Sequence, residues 1–222
     1  MKVMILAAGR GKRMGGLTDN CPKPLLKVAG RSLIEHHILA LKKQGFNEFV
    51  INVAYLGEQI MSALGNGERF GVKIDYSDEG AQALETGGGV QRALPLLGTA
   101  PFLVVNADIW ADIPYADLKI KADNSMHLVF VKNPEHHLGG DFHLDKRQVV
   151  EAGGERLTYS GVGIFNTAIF SQQTAGVFPL APLIRDAIMR GEVGGQLHTG
   201  VWVDVGTPQR LADVEKVLNA SQ

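Results

Sequence analysis

Apolar residues along this chain fall into short unbroken runs separated by stretches with helical spacing, and that alternation predicts an α/β fold. Val3-Met4-Ile5-Leu6 is a continuous apolar run leading into a glycine-containing segment, the pattern of a strand buried on both faces. Ser32-Leu33-Ile34-Glu35 reads as a capping box, and Ile34, Ile38 and Leu41 then share one helical face before Gly45. The same periodicities predict a strand over 49–53, a helix over 57–64, a strand through Val72, Ile74 and Tyr76, and a helix over 87–97. "PFLVVNAD" is a buried strand that stops at polar Asn106 and Asp108, and polar groups at such a strand end mark a ligand edge.

The rhythm changes from Asp141 onward. "DFHLD", "QVVEAGG" and "LTYSGVGIF" read as short antiparallel strands around turns, followed by a helix near 180–190, a last strand region in "HTGVWVDVGTP" and a closing helix over 208–219. The expectation is a Rossmann-like mixed sheet, mostly parallel in its first half and flanked by helices, in a single domain spanning 1–222. No internal repeat, coiled coil or low-complexity linker interrupts it, so no appended hexapeptide-repeat domain is expected.

Composition narrows the function classes. With 45% hydrophobic and 20% charged residues the chain is an ordinary globular protein. Its 22 Lys and Arg balance 23 Asp and Glu, which argues against a nucleic-acid or membrane-surface partner recruited by net charge. No apolar stretch approaches the ~20 residues that cross a bilayer. No leader pattern is visible, and the lone Cys21 excludes an intramolecular disulfide, so a cytoplasmic protein is expected.

The first chemistry lies in "LAAGRGKRMGG". Gly9, Gly11 and Gly15 miss the dinucleotide spacing by one residue, and the Walker Gly-Lys-Ser/Thr ending is absent. That weighs against both a nicotinamide oxidoreductase and a P-loop enzyme. A glycine loop after a buried strand still lets backbone N–H groups approach phosphate, and Arg10, Lys12, Arg13 and then Lys23 add side-chain charge suited to a triphosphate. A solvated turn bearing surface Arg and Lys is an equally good reading of the loop taken alone. His36, His37, His136 and His137 form no metal-ligand spacing and read as structural or solvated; Cys21 reads as a small packing residue.

"LAAGRGKRMGGLT", "PKPLLKVAGRSLI", "LETGGGV", "VNAD" and "WVDVGTPQRL" occur in the order found in sugar-1-phosphate nucleotidyltransferases, which this chain resembles almost end to end. Within that superfamily "NVAYLGEQI", "GERFG", "LETGGG", "ALPLLG" and "GDF" are most similar to the N-acetylmuramate-1-phosphate uridylyltransferases of bacterial cell-wall recycling. The chain departs from its larger relatives in carrying Gly16 where many have proline, Ala107-Asp108 where most have Gly-Asp, and no Glu-Lys-Pro segment.

The resemblance implies that a sugar 1-phosphate attacks the α-phosphorus of UTP and releases pyrophosphate, with Mg²⁺ as cofactor. It implies that Ala8, Gly9, Gly11, Lys12, Arg13, Lys23 and Gly88 bind the nucleotide, with Arg13 on the departing pyrophosphate and Lys23 on the α-phosphate as the catalytic pair. Asp108 and Asp204, each at the end of an apolar strand, are the implied metal ligands, although each alone is commonly a turn residue. Glu85, Asn106, Asp141 and Asp204 are the implied contacts to the sugar substrate. The glycines of "LETGGG" open a helix and suit close approach of base or sugar, with a tight turn as the equal alternative. Two other functions remain open: transfer from UTP, dTTP or GTP to a hexose 1-phosphate, and a catalytically silent nucleotide-sugar sensor.

Overall fold

The computed structural model describes residues 1–171 and 173–220. Its first half runs β1 (Val3–Leu6), β2 (Lys27–Val28), β3 (Arg31–Ser32), α1 (Leu33–Lys43), β4 (Glu48–Val53), α2 (Gly57–Leu64), β5 (Lys73–Asp78), α3 (Glu85–Leu97) and β6 (Phe102–Asn106). The second half adds β7 (Ile109–Ala111), β8 (Met126–Val131), β9 (Phe142–Asp145), β10 (Gln148–Val150), β11 (Glu155–Phe165), α4 (Ala181–Met189), β12 (Val193–Leu197), β13 (Trp202–Asp204) and α5 (Pro208–Ala220).

Nine strands form one mixed sheet in the order β5-β4-β1-β6-β11-β8-β12-β10-β9, with β5, β4, β1 and β6 parallel. β11 runs antiparallel to both β6 and β8. The mixed sheet agrees with the sequence expectation, but two of its members, β8 and β12, were not anticipated. β12 also displaces the expected last strand: "VWVD" forms only the short β13, paired with β7 outside the main sheet.

Alternate residues of the buried strands feed two cores, as a sheet covered on both faces requires. Val3, Ile5, Phe49, Ile51, Leu103 and Val105 meet Ile34, Ile38 and Leu41 of α1 and Ile60 and Leu64 of α2. Met4, Val50, Phe102 and Val104 meet Val90, Ala93 and Leu97 of α3, together with Leu183, Ile184 and Ala187 of α4. The predicted capping box is present at α1: Ser32 accepts from the Glu35 backbone N–H, and the Glu35 carboxylate accepts from the Ser32 N–H at 2.8 Å. A third, smaller cluster joins Met14 of the opening loop to Leu26, Val28, Leu33, Val205 and Val214, so the loop is anchored by packing although its cations face outward.

Connections carry β1 to β4 on one side and β6 lies on the other, which opens a crevice at the carboxyl ends of these strands. The register sets Leu6 opposite both Asn52 and Asn106 at that level. Among the described residues no helix is long and apolar enough to cross a membrane.

Candidate active site

The crevice contains a cavity of about 360 Å³, within the range of small-molecule sites. Ala8, Gly9, Gly11, Lys12 and Arg13 form its roof, Lys23 and Asp108 its floor, and Glu85, Thr86 and Asn106 its far wall. Nine of the sequence-predicted site residues are thus brought together: Ala8, Gly9, Gly11, Lys12, Arg13, Lys23, Glu85, Asn106 and Asp108.

Gly11 shows why the loop needs glycine there. Its φ of +69° is left-handed, and a Cβ would lie 3.0 Å from Lys23 Cβ and 3.2 Å from Lys23 Cδ. The bare backbone therefore lets the loop lie directly on the lysine. Lys23 itself is buried at 6% exposure. Its Nζ meets Asp108 Oδ2 at 2.7 Å, and that carboxylate side chain is 40% exposed toward the cavity. Pro22 and Pro24 fix the short turn that aims the ammonium inward. Lys12 and Arg13 are exposed and make no side-chain hydrogen bond or ion pair among the described residues, whereas Arg10 turns away to stack over Tyr55 at 5.1 Å.

The aspartates converge through the backbone. β13 pairs with β7 so that Asp204 faces Ile109, and the Val205 N–H donates to the Asp108 carbonyl at 2.7 Å. Their carboxylates, however, hold different cations: Asp204 is ion-paired to Arg210 at 2.9 Å and lies 3.1 Å from His136 Nε2. Asp204 itself is not part of the cavity wall, although its neighbour Gly206 is. Among the described residues no three His, Cys, Asp or Glu side chains cluster. A divalent ion held here would take two carboxylates from the protein and complete its shell from phosphate and water, a donor set that suits Mg²⁺.

Asn106 reaches the wall because Gly161 (φ +82°) leaves it room; a Cβ there would lie 2.7 Å from Asn106 Nδ2. The amide has no partner among the described residues and is available to a ligand. Glu85 is exposed at the cavity with φ +60°, an uncommon conformation for a residue with a side chain. Gly88 is placed differently from its expected ligand contact. Its N–H and that of Gly87 both donate to the Phe178 carbonyl at 3.0 Å, and the missing Cβ of Gly88 makes room for the Gly176 backbone. Asp141 also lies outside this cavity, beside a second groove with Phe142 and Arg185, where it accepts from the Tyr159 N–H at 2.8 Å and from His137 at 2.9 Å.

Several contributors were not singled out from sequence. Asn52 Oδ1 accepts from the Ala7 N–H at 2.7 Å while its Nδ2 donates to buried Glu79 at 2.7 Å, and Glu79 also accepts from the Leu84 N–H at 2.6 Å. This chain of bonds ties the opening loop to the segment before α3; its one signal in the sequence is a lone polar residue inside "EFVINV". His136, read as structural or solvated, is half exposed and lies against Asp204. His37 agrees with that reading: it is buried beside Ala107 and Ile109, and burial pushes its imidazole down to about 4. Burial likewise pushes the Cys21 thiol up, which suits a packing residue.

A crevice with two cations that lack acidic partners among the described residues, with Asp108 in the turn before β7 and Asp204 at the end of the adjoining β13, suits a phosphoryl-group or nucleotidyl-group transferase. The family described as Nucleotidyl transferase matches residues 2–139, and the chain belongs to it. An N-acetylmuramate alpha-1-phosphate uridylyltransferase from Neisseria meningitidis serogroup B is 50% identical over 99% of both chains. A protein of the same name from Caulobacter vibrioides is 37% identical, covering 93% of this chain and 92% of the relative. The structure of HddC from Yersinia pseudotuberculosis complexed with GMP-PN superposes with a TM-score of 0.79, covering 98% of this chain and 99% of that one, at 20% identity; it shows the shared fold.

Proposed function

We propose that this protein transfers UMP from UTP to N-acetylmuramic acid 1-phosphate, forming UDP-N-acetylmuramic acid and pyrophosphate, as a cytoplasmic step of peptidoglycan recycling. The observation that carries the reaction class is the placement of Lys12 and Arg13, unpartnered among the described residues, above the cavity with Lys23 and Asp108 on its floor. Base and sugar rest on the full-length identity to the Neisseria and Caulobacter relatives.

The chemistry asks little of acid or base catalysis. A sugar phosphate oxygen is already ionised near neutral pH; it forms a bond to the α-phosphorus as the bond from that phosphorus to the α–β bridging oxygen breaks, and the electron pair leaves with pyrophosphate. The protein must align two polyanions and offset the charge that grows on the leaving group. Lys23, held in place by Asp108 and its flanking prolines, faces the α-phosphate. The Arg13 fork takes two oxygens of the departing pyrophosphate. Loop N–H groups from Ala8 to Gly11 line the same phosphates, and the Asn106 amide orients the acceptor. Asp108 and Asp204 would hold Mg²⁺, which supplies Lewis-acid charge neutralisation at the phosphates when bound.

Pyrophosphate release across four nucleoside triphosphates and three acceptors, the 1-phosphates of N-acetylmuramic acid, N-acetylglucosamine and glucose, tests this reading, with products identified by mass. UTP with N-acetylmuramic acid 1-phosphate should turn over fastest. Faster turnover of dTTP with glucose 1-phosphate would overturn the sugar assignment, and no turnover of any pair would leave a nucleotide-sugar sensor.

A further inference from the structure

The mechanism above gives no task to Arg210, which reaches back from α5 toward the cavity. Its side chain is 16% exposed, its Nη1 lies 2.9 Å from Asp204 Oδ2 and also meets His136 Nε2, and its buried Nε has no partner. A Cβ on Gly206, a residue of the cavity wall, would lie 3.1 Å from Arg210 Cζ and 3.2 Å from Arg13 Cζ. The two guanidinium carbons are therefore no further apart than the sum of those distances. Glycine at 206 leaves room for both heads.

Two cations this close repel unless anions accompany them. Asp204 supplies one negative charge, and Arg210 is paired with it. Arg13 has none among the described residues. The local balance is short of negative charge where the opening loop and the closing helix meet.

We propose that Arg210 is a second pyrophosphate-binding residue, acting beside Arg13 on the two phosphates that leave. This rests on the uridylyl-transfer reading of the same site. Arg13 approaches from the loop and Arg210 from the helix, so two planar forks converge on neighbouring phosphates, a geometry that lysines, as point charges, do not reproduce. Asp204 and His136 hold the Arg210 head at the wall before the polyanion arrives.

The test is calorimetric titration of inorganic pyrophosphate, with excess Mg²⁺, into the full chain without sugar or nucleotide, comparing wild type, Arg210→Gln and Arg210→Lys. Arg210→Gln should bind pyrophosphate about ten-fold more weakly or worse, and Arg210→Lys should recover part of the loss. Affinity for UMP and KM for the sugar 1-phosphate should be close to wild type, while loss of the largely buried Asp204 ion pair should lower the melting temperature of Arg210→Gln by a few degrees. Arg210→Gln that binds pyrophosphate normally overturns the inference while leaving the reaction intact, provided wild type catalyses transfer. Equal losses for UMP and pyrophosphate also overturn it and make Arg210 a tether for α5. Wild type that neither transfers UMP nor binds pyrophosphate removes the underlying reading and this inference with it.

Discussion

Replacing Asp108 with Asn tests how the floor of the cavity is held. Lys23 is buried, and among the described residues its ammonium has one anionic partner, the Asp108 carboxylate at 2.7 Å, whose side chain is 40% exposed. Breaking a fully buried pair costs ~3–5 kcal/mol, and a fully exposed pair contributes ~0–1 kcal/mol. A pair with one end buried and the other open to water falls between, so Asp108→Asn should lose about 1–3 kcal/mol. In a chain of this size each kcal/mol moves the melting temperature by about 2–4 °C, giving a fall of roughly 2–12 °C. Lys23→Met removes the buried charge itself and leaves a carboxylate that water can solvate, so its cost should be smaller. Urea unfolding of both single variants and the double variant should give a coupling of about 1–3 kcal/mol. Turnover should collapse in all three, far beyond the loss of folded protein. A coupling below ~0.5 kcal/mol with wild-type stability in Asp108→Asn would refute the claim that the aspartate fixes the lysine.

Arg13→Ala should melt like wild type, because the side chain is exposed and has no hydrogen-bond or ion-pair partner among the described residues, yet lose ~10²–10³ in turnover, which steady-state rates and thermal melting check together. Gly11→Ala should cost about 1–2 kcal/mol for its left-handed backbone, with a further loss from the methyl 3.0 Å from Lys23 Cβ. Gly9→Ala, which has no atom within 4 Å of the new methyl and no positive φ, should unfold in urea like wild type. His37 supplies the pH dependence: burial holds its pKa at about 4 against an ordinary 6.5, so between those values the unfolded chain binds a proton that the folded chain refuses. Its contribution is therefore present above pH 6.5 and lost as pH falls to about 4, by ~3 kcal/mol in all. His37→Gln should flatten that part of the profile in urea midpoints measured from pH 7 to pH 4.5, and an unchanged slope would exclude His37 as its source.

Legibility from sequence followed the range of the interactions. β1, α1, β4, α2 and β5 were readable because a buried parallel strand and an amphipathic helix each leave a local periodic mark, and Ser32 and Glu35 form their cap within four residues. β8 was passed over although all six of its residues are buried; His127 interrupts an otherwise apolar run. β12 was hidden by chemistry: "VGGQL" has poor strand propensity, but Gly194 would clash with Asn124 and Gly195 with Leu144 and Val149 if either carried a side chain. Its glycines answer to neighbours more than forty residues away in the chain, which no local window contains. In the site, Arg13, Lys23 and Asp108 lie in compact motifs, whereas His136 and Arg210 acquire meaning only once β13 sets Asp204 between them. The packing of Gly88 was hidden for the same reason, since its neighbour is the distant segment 176–178.

The cluster that seats Met14 on Val205 and Val214 makes the opening loop dependent on residues that follow β13 far along the chain. A ribosome that has released β1, α1 and β4 has made strands able to pair, but the loop still lacks the apolar floor that determines where Arg13 points. Competence for the reaction is thus delayed until α5 has been made. A chain stalled or clipped before Val214 could retain most of its sheet and fail to hold a nucleotide, so substrate binding reports on whether the C-terminal segment has docked more sharply than any measure of secondary structure.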